Sequence, residues 1–209
     1  LQQGINKIEQ QSPHSVTVPT AIDTWVQLNR DYGSKPLGDL LQPAISYARE
    51  GFPIGHRVAA DFAECHDLLT GDPDIAAIYL NNGKDFQYGD RCINLNLAKT
   101  LETIAEYGRD GFYKGWVAED MLAKLQSLGG LHTQDDLDAA EANYVNPIKS
   151  SFRGYDIWEC PPNGQGVIAL MLLNIMSKID KFGDHPISVD RIHHEIEAGR
   201  FAYRDRNLY

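Results

Sequence analysis

The stretch YDIWECPPNGQGVIALMLLNIM, residues 155–176, decides how the last third of the chain is read. Its first five residues have strand composition, Pro161-Pro162 stops them, and the residues after Gly166 run apolar with the length of a helix. Inside it, Gly164-Gln165-Gly166-Val167-Ile168-Ala169 fits the Gly-x-Gly-x-x-Ala spelling of a dinucleotide-binding turn. That fingerprint needs a second parallel strand after the helix and an acidic residue about 20 positions on to hold ribose. The next segment, KIDKFGDHP at residues 178–186, is polar without a strand-like run, and two prolines stand where the strand should lead straight into the glycines. The nucleotide reading therefore fails. Gly164 and Gly166 read instead as places where the backbone turns and a helix sits close to a strand. The helix after Gly166 is apolar nearly all round, which predicts burial between layers.

On the N-terminal side of this helix, residues 144–152 and 155–159 flank Arg153-Gly154 and predict a β-hairpin. A last amphipathic helix is expected over residues 189–206, with Ile192, Ile196, Ala198 and Tyr203 facing inward. Upstream the period is helical. Leu37, Leu40, Leu41, Ala44, Ile45 and Ala48 share one helix face, stopped by Gly51 and Pro53, and residues 21–32 carry Ile22, Trp25 and Leu28 up to Gly33. These two are expected to pack as a pair. Residues 58–69 predict a further helix, Thr70-Gly71-Asp72-Pro73 a turn, residues 77–80 a short strand and Asn82-Gly83 a hairpin-type turn. Leu97, Ala98, Leu101, Ile104 and Ala105 restore helical spacing up to Gly108, and Val117, Ala118, Met121, Leu122, Leu125 and Leu128 do so up to Gly129-Gly130. Thr133 followed by Asp136 is a helix start signal. The expected class is α+β, with residues 16–142 mainly helical and residues 143–209 a hairpin, a buried helix and a final helix.

With 209 residues, 43% hydrophobic and 23% charged, the chain can bury one substantial core or two small ones. Its 19 Lys and Arg against 29 Asp and Glu give a net charge of −10, which argues against nucleic acid as a partner. The longest nearly apolar run, residues 167–175, is too short for the roughly 20 residues a bilayer helix needs, so no membrane segment is expected. The opening Leu1-Gln2-Gln3-Gly4 has no leader character and suggests a piece of a longer chain. Cys65, Cys92 and Cys160 share no short spacing and read as free thiols, which leaves the compartment open.

Sites of familiar chemistry are not spelled out. His193-His194-Glu195-Ile196-Glu197 lacks the second histidine of a zinc-protease helix, since Ala198 stands there, and His193 with Glu197 alone would under-coordinate a metal. Asp135-Asp136-Leu137-Asp138 lacks the glycine and distal glutamate of a calcium loop and suits a helix N-terminus. No serine sits in a Gly-x-Ser-x-Gly elbow. From the residues alone there is no catalytic set, no metal site and no cofactor site.

Six phrases in order nevertheless resemble one family: SVTVPTAIDTWVQL, GSKPLGDLLQPAISYAREGFPI, NLAKTLETIAEYGRDGFYKG, LGGLHTQDDLDAA, PIKSSFRGYDIWECPPNGQG and EAGRFAYRDRNLY. They are similar to the γ-glutamyltransferase (γ-glutamyltranspeptidase) family, in the heavy-chain region before its self-cleavage point, over about residues 16–209. PPNGQG resembles a bacterial branch, where others carry a Ser-Gly-Gly turn. The resemblance implies an N-terminal-nucleophile hydrolase with an αββα sandwich, made as a precursor that cuts itself into heavy and light chains. It implies the light chain as partner, a γ-glutamyl small molecule or peptide as substrate, and neither metal nor organic cofactor. In such an enzyme the light chain's N-terminal threonine attacks the γ-glutamyl amide, and the acyl group passes to water, an amino acid or a peptide.

That nucleophile is not among these residues, because no Thr-Thr pair occurs. Thr17, Thr20, Thr24, Thr70, Thr100, Thr103 and Thr133 are expected at helix starts, in turns or in helices. The family's heavy-chain arginine for the substrate carboxylate belongs upstream of the match, so neither Arg30 nor Arg49 inherits it, and no catalytic residue is assigned. Many relatives have glycine where Thr20 follows Val18-Pro19. Gly164, Gln165 and Gly166 are expected to turn the chain from strand to helix, with helix amides that could face the substrate cleft. Two rivals stand beside this reading, an acylase or amidohydrolase acting on other amides and a non-catalytic helical scaffold.

Overall fold

The structure is a computed structural model describing residues 7–9, 11–179 and 185–208. The opening tetrapeptide and the middle of the polar stretch 178–186 lie outside the described residues. The chain divides into two compact units, Leu1–Ala142 and Asn143–Tyr209.

In the first unit, α1 (Ala21–Tyr32) follows Thr20, whose φ of −109° and ψ of 0° suit any L-residue, so this position does not need glycine. α2 (Leu37–Glu50) carries Pro43 in its interior and ends at Gly51, whose φ of 82° favours glycine. After β1 (Phe52–Pro53), the helix expected over residues 58–69 is two, α3 (His56–Glu64) and α4 (His66–Thr70), broken at Cys65. The strand expected at residues 77–80 is instead the end of α5 (Pro73–Tyr79). Asp72 decides this: its carboxylate accepts from the Asp74 and Ile75 amides at 2.9 and 3.2 Å, and Pro73 stands in the first helical turn, where its lack of an N–H costs nothing. Asn82 and Gly83, with φ of 53° and 79°, turn the chain between Asn81 and Lys84. Next come β2 (Arg91–Cys92), α6 (Leu95–Tyr107), α7 (Asp110–Tyr113), α8 (Gly115–Ser127) and α9 (Gln134–Asp138). Thr133 and Asp136 cap α9 reciprocally, as their spacing predicts.

The expected pairing of α1 with α2 is corrected, since the helix lying along α2 is α6, with Arg49 and Glu102 forming an ion pair between them. α1 joins the core through Ile22, beside Ile104, Tyr113, Ala118, Leu122 and Leu137. Of the stripe expected on α2, Ile45 and Ala48 are buried while Leu40 is exposed. A smaller core of Ile54, Phe86 and Cys92 lies beside the antiparallel β1–β2 pair.

In the second unit, β3 (Ile148–Phe152) pairs antiparallel with β4 (Tyr155–Glu159), with Ile148 opposite Glu159 and Phe152 opposite Tyr155. Arg153 and Gly154, φ 51° and 86°, form the tight turn. The first arm is shorter than residues 144–152 because β4 ends opposite Ile148 and Pro147 has no N–H to extend the ladder. α10 (Gly166–Met176) lies over β3, and Ser150 donates to Asn174 Oδ1 at 2.6 Å. Ile168, Leu170 and Met176 are buried but Ala169 is exposed, so among the described residues of this unit α10 is covered on part of its circumference. α11 (Val189–Arg206) packs on α10 through Ala198 and Ala202, 1% and 0% exposed. Of the inward set expected, only Ala198 is inside; Ile192, Ile196 and Tyr203 are exposed. The seam uses small side chains because they allow close approach of the two helices.

Candidate functional site

Glu159 ends β4, the chain turns through Pro161-Pro162, and Gly166 starts α10. A Cβ added at Gly166 would lie 2.5 Å from Glu159 Oε2 and 2.7 Å from Glu159 Cβ, so the helix approaches the strand only because this side chain is a hydrogen. Gly164 differs: nothing lies within 4 Å of its added Cβ, and its φ is outside the left-handed region. The close-approach role thus belongs to Gly166 alone. Gln165 is the N-cap but gives no side-chain cap, because its Oε1 accepts from Arg206 Nη1 at 3.2 Å.

Beside this turn lies a groove of about 510 Å³, with Pro162, Val167, Ile168 and Met171 as its apolar wall and Asn163, Gln165, Asp205 and Arg206 at its polar side. Glu159 puts a carboxylate against the start of α10, where the helix dipole favours negative charge. The turn residues Gly164, Gln165 and Gly166 therefore line or border a concave surface. They offer shape and hydrogen bonds, with no nucleophile or general base among them.

The other candidates stay apart. His193 and His194 lie on α11, and no group of three or more His, Cys, Asp or Glu side chains among the described residues could hold a metal. Cys65 and Cys160 are exposed free thiols; Cys92 is buried, and burial pushes its thiol pKa up, away from the reactive thiolate. Arg30 pairs with the adjacent Asp31 and Arg49 with Glu102. No described helix is long and apolar enough to cross a membrane.

One polar cluster escaped the sequence reading. Asp23, 4% exposed on α1, accepts from Arg109 Nε at 3.0 Å, Gln27 Nε2 at 2.7 Å and the Ala142 amide at 2.7 Å. Arg109 also donates to the Asp138 and Ala140 carbonyls at 3.0 and 2.7 Å and lies over the Tyr113 ring, whose hydroxyl donates to the Pro19 carbonyl at 2.8 Å. Burial would raise the Asp23 pKa, but the Ala142 amide, Gln27 and Arg109 outweigh it and hold the carboxyl below the ordinary aspartate value. These donors and acceptors are engaged with one another, and the cluster ties the segment 138–142 to α1. Its only sequence signal was an aspartate next to Ile22 in the first turn of a helix.

The family model described as gamma-glutamyltranspeptidase matches residues 1–209. The glutathione hydrolase proenzyme of Escherichia coli is 38% identical over 182 residues, 85% of this chain and 31% of its own length. Among solved structures, Helicobacter pylori gamma-glutamyltranspeptidase superposes with a TM-score of 0.88 at 31% identity, over 98% of this chain and 59% of that one. Cephalosporin acylase from Bacillus halodurans does so with 0.85 at 33%, over 97% and 39%. The chain spans about a third of the length of the curated relatives it matches. Its ordered phrases, its α+β fold and these likenesses together make it a member of the gamma-glutamyltranspeptidase family, in that family's heavy-chain region.

Proposed function

We propose that residues 1–209 are an internal heavy-chain segment of an N-terminal-nucleophile hydrolase that cleaves γ-glutamyl amides and passes the glutamyl group to water, an amino acid or a peptide. The observation carrying this reading is the 38% identity to a glutathione hydrolase proenzyme over 85% of the chain. On this reading the hairpin β3–β4 and helices α10 and α11 supply one side of an αββα sandwich, and the light chain of the same precursor supplies the nucleophile. The turn Gly164-Gln165-Gly166 then borders the cleft as a shaping element. This segment by itself is inactive, since it offers no paired threonine for a new N-terminus.

The test uses the parent protein made from its complete gene. Expected are self-cleavage into two chains, the smaller beginning with threonine by N-terminal sequencing, and release of the anilide from a γ-glutamyl anilide. A parent that stays uncut and turns over no amide sinks the proposal and leaves the scaffold reading. A second reading, an acylase for other amides, has support in the likeness to the cephalosporin acylase, scarcely weaker than that to the transpeptidase. Preference for another amide over the γ-glutamyl one would select it.

A further inference from the structure

The loop of residues 81–90 carries a titratable fastening that the proposed chemistry does not use. Its ends are held by the backbone: the Ile54 amide donates to the Asp90 carbonyl and the Gly89 amide to the Ile54 carbonyl, both at 2.8 Å, and the Asn81 amide donates to the Lys84 carbonyl at 2.7 Å. The Asp90 carboxylate accepts from Asn81 Nδ2 at 3.0 Å and the Gln87 amide at 2.9 Å. The middle is tied by side chains. Phe86 drops into the small core beside Ile54 and Cys92. His56 stacks flat on Tyr88, with ring centroids 3.6 Å apart and 7° between planes. His66, at the start of α4, sets Nδ1 2.7 Å from Asp85 Oδ1, across 19 residues of sequence.

Few charges compete for His66. From its own helix, Asp67 adds a second negative charge. On α3, Asp61 is paired with Arg57, and Glu64 is that helix's last residue. Across α5, Asp72 and Asp74 are both engaged by Lys124 of α8. In the loop, Lys84 adjoins Asp85 in sequence, and the Asp90 carboxylate faces Asn81 and Gln87. Asp85 is thus the group in direct contact with the imidazole.

We propose that the His66–Asp85 contact is a pH-sensitive latch that fastens residues 85–88 over the Ile54–Phe86–Cys92 core, closed while the imidazole is protonated and loosened when it is neutral. The hydrogen bond to Asp85, then its charge, with Asp67 adding, hold the His66 pKa above the ordinary histidine value despite partial desolvation. Fastening is therefore complete below the unfolded histidine pKa of about 6.5 and is lost as pH rises through the higher folded value. The His56–Tyr88 stack and Phe86 remain, so the loop loosens and does not leave.

Hydrogen exchange on the intact protein tests this, read on peptides covering residues 85–90 from pH 5.5 to 9, corrected for the intrinsic rate and referred to α6. His66 itself is followed by its imidazole carbon resonance. Because both side chains are partly exposed, the wild-type loop should lose only about two- to fivefold in protection across the His66 titration. In Asp85→Asn that step should vanish and the His66 midpoint should fall. His66→Gln keeps a hydrogen-bond donor without the charge and should also be flat, which covers the case that Asp85→Asn folds poorly. An equal step in wild type and variant, or no step in the wild type, overturns the latch.

Discussion

The two compact units bury apolar surface with very different completeness. In Leu1–Ala142, Ile104, Tyr113 and Leu137 are shut off from solvent by helices on several sides, and the buried Asp23 has three donors. Among the described residues of Asn143–Tyr209, the apolar helix α10 packs chiefly on β3, β4 and α11, and Tyr155 and Trp158 of β4 stay exposed. The difference shows that composition alone does not bury a helix. Burial is set by how many elements surround it, and an eleven-residue apolar helix needs more cover than this unit holds.

Hydrogen exchange should show this contrast most strongly. On the chain studied by itself, amides of β3 and β4 should exchange faster than those of α6 by a factor on the order of 100, and assembly with the rest of the parent protein should slow them. Equal, strong protection in both settings would make the second unit complete and remove physical support for the heavy-chain reading.

Next in size is the buried ion pair. Asp23→Ala strands Arg109 and the Ala142 amide and should cost about 2 to 4 kcal/mol in urea denaturation, less than a fully buried pair would because Arg109 is partly exposed. Since the folded Asp23 pKa is depressed, its contribution is present above the unfolded aspartate value and is lost as pH falls through the folded one. Acid denaturation should therefore shift less with pH in the variant. A loss under about 0.5 kcal/mol would show that the segment 138–142 needs no anchor.

In the second unit the clearest contrast is the seam. Ala202→Leu inserts bulk where exposure is 0% and should destabilise by about 1 to 3 kcal/mol, whereas Ile196→Ala, on the exposed side of the same helix, should change stability by under about 1 kcal/mol. The smallest effects lie at the turn. Gly166→Val meets Glu159 and should cost about 1 kcal/mol or somewhat more, while Gly164→Ala, in open space, should stay within about 0.5 kcal/mol. Equal costs at the two glycines would refute the close-approach argument.

Local chemistry was legible wherever neighbours in sequence are neighbours in space. Asn82-Gly83, Arg153-Gly154, the Thr133–Asp136 cap and the bounds of α1 come from a few adjacent residues. Residues 77–80 misled because their apolar run suits a strand, yet the cap that makes them helical stands five residues earlier at Asp72. On α11 the inward set was right at Ala198 but took Ile192, Ile196 and Tyr203 and passed over Ala202, although helix-to-helix approach selects the small side chains. The Asp23–Arg109 cluster was hidden because its partners lie 86 and 119 positions apart, beyond any periodicity. The groove at residues 162–171 was legible only as a turn, since its far side, Asp205 and Arg206, comes from another helix.

That long separation also sets a timetable for the ribosome. Asp23 emerges 119 residues before the Ala142 amide it will accept from. At a synthesis rate of about 5 to 20 residues per second, the carboxylate waits roughly 6 to 24 s for that donor. Throughout this interval Asp23 lacks its last donor, while the helices that cover Ile22 arrive one after another. The N-terminal unit therefore closes late in its own translation, and chaperones have seconds of access to Ile22 and its neighbours before the last anchor is available.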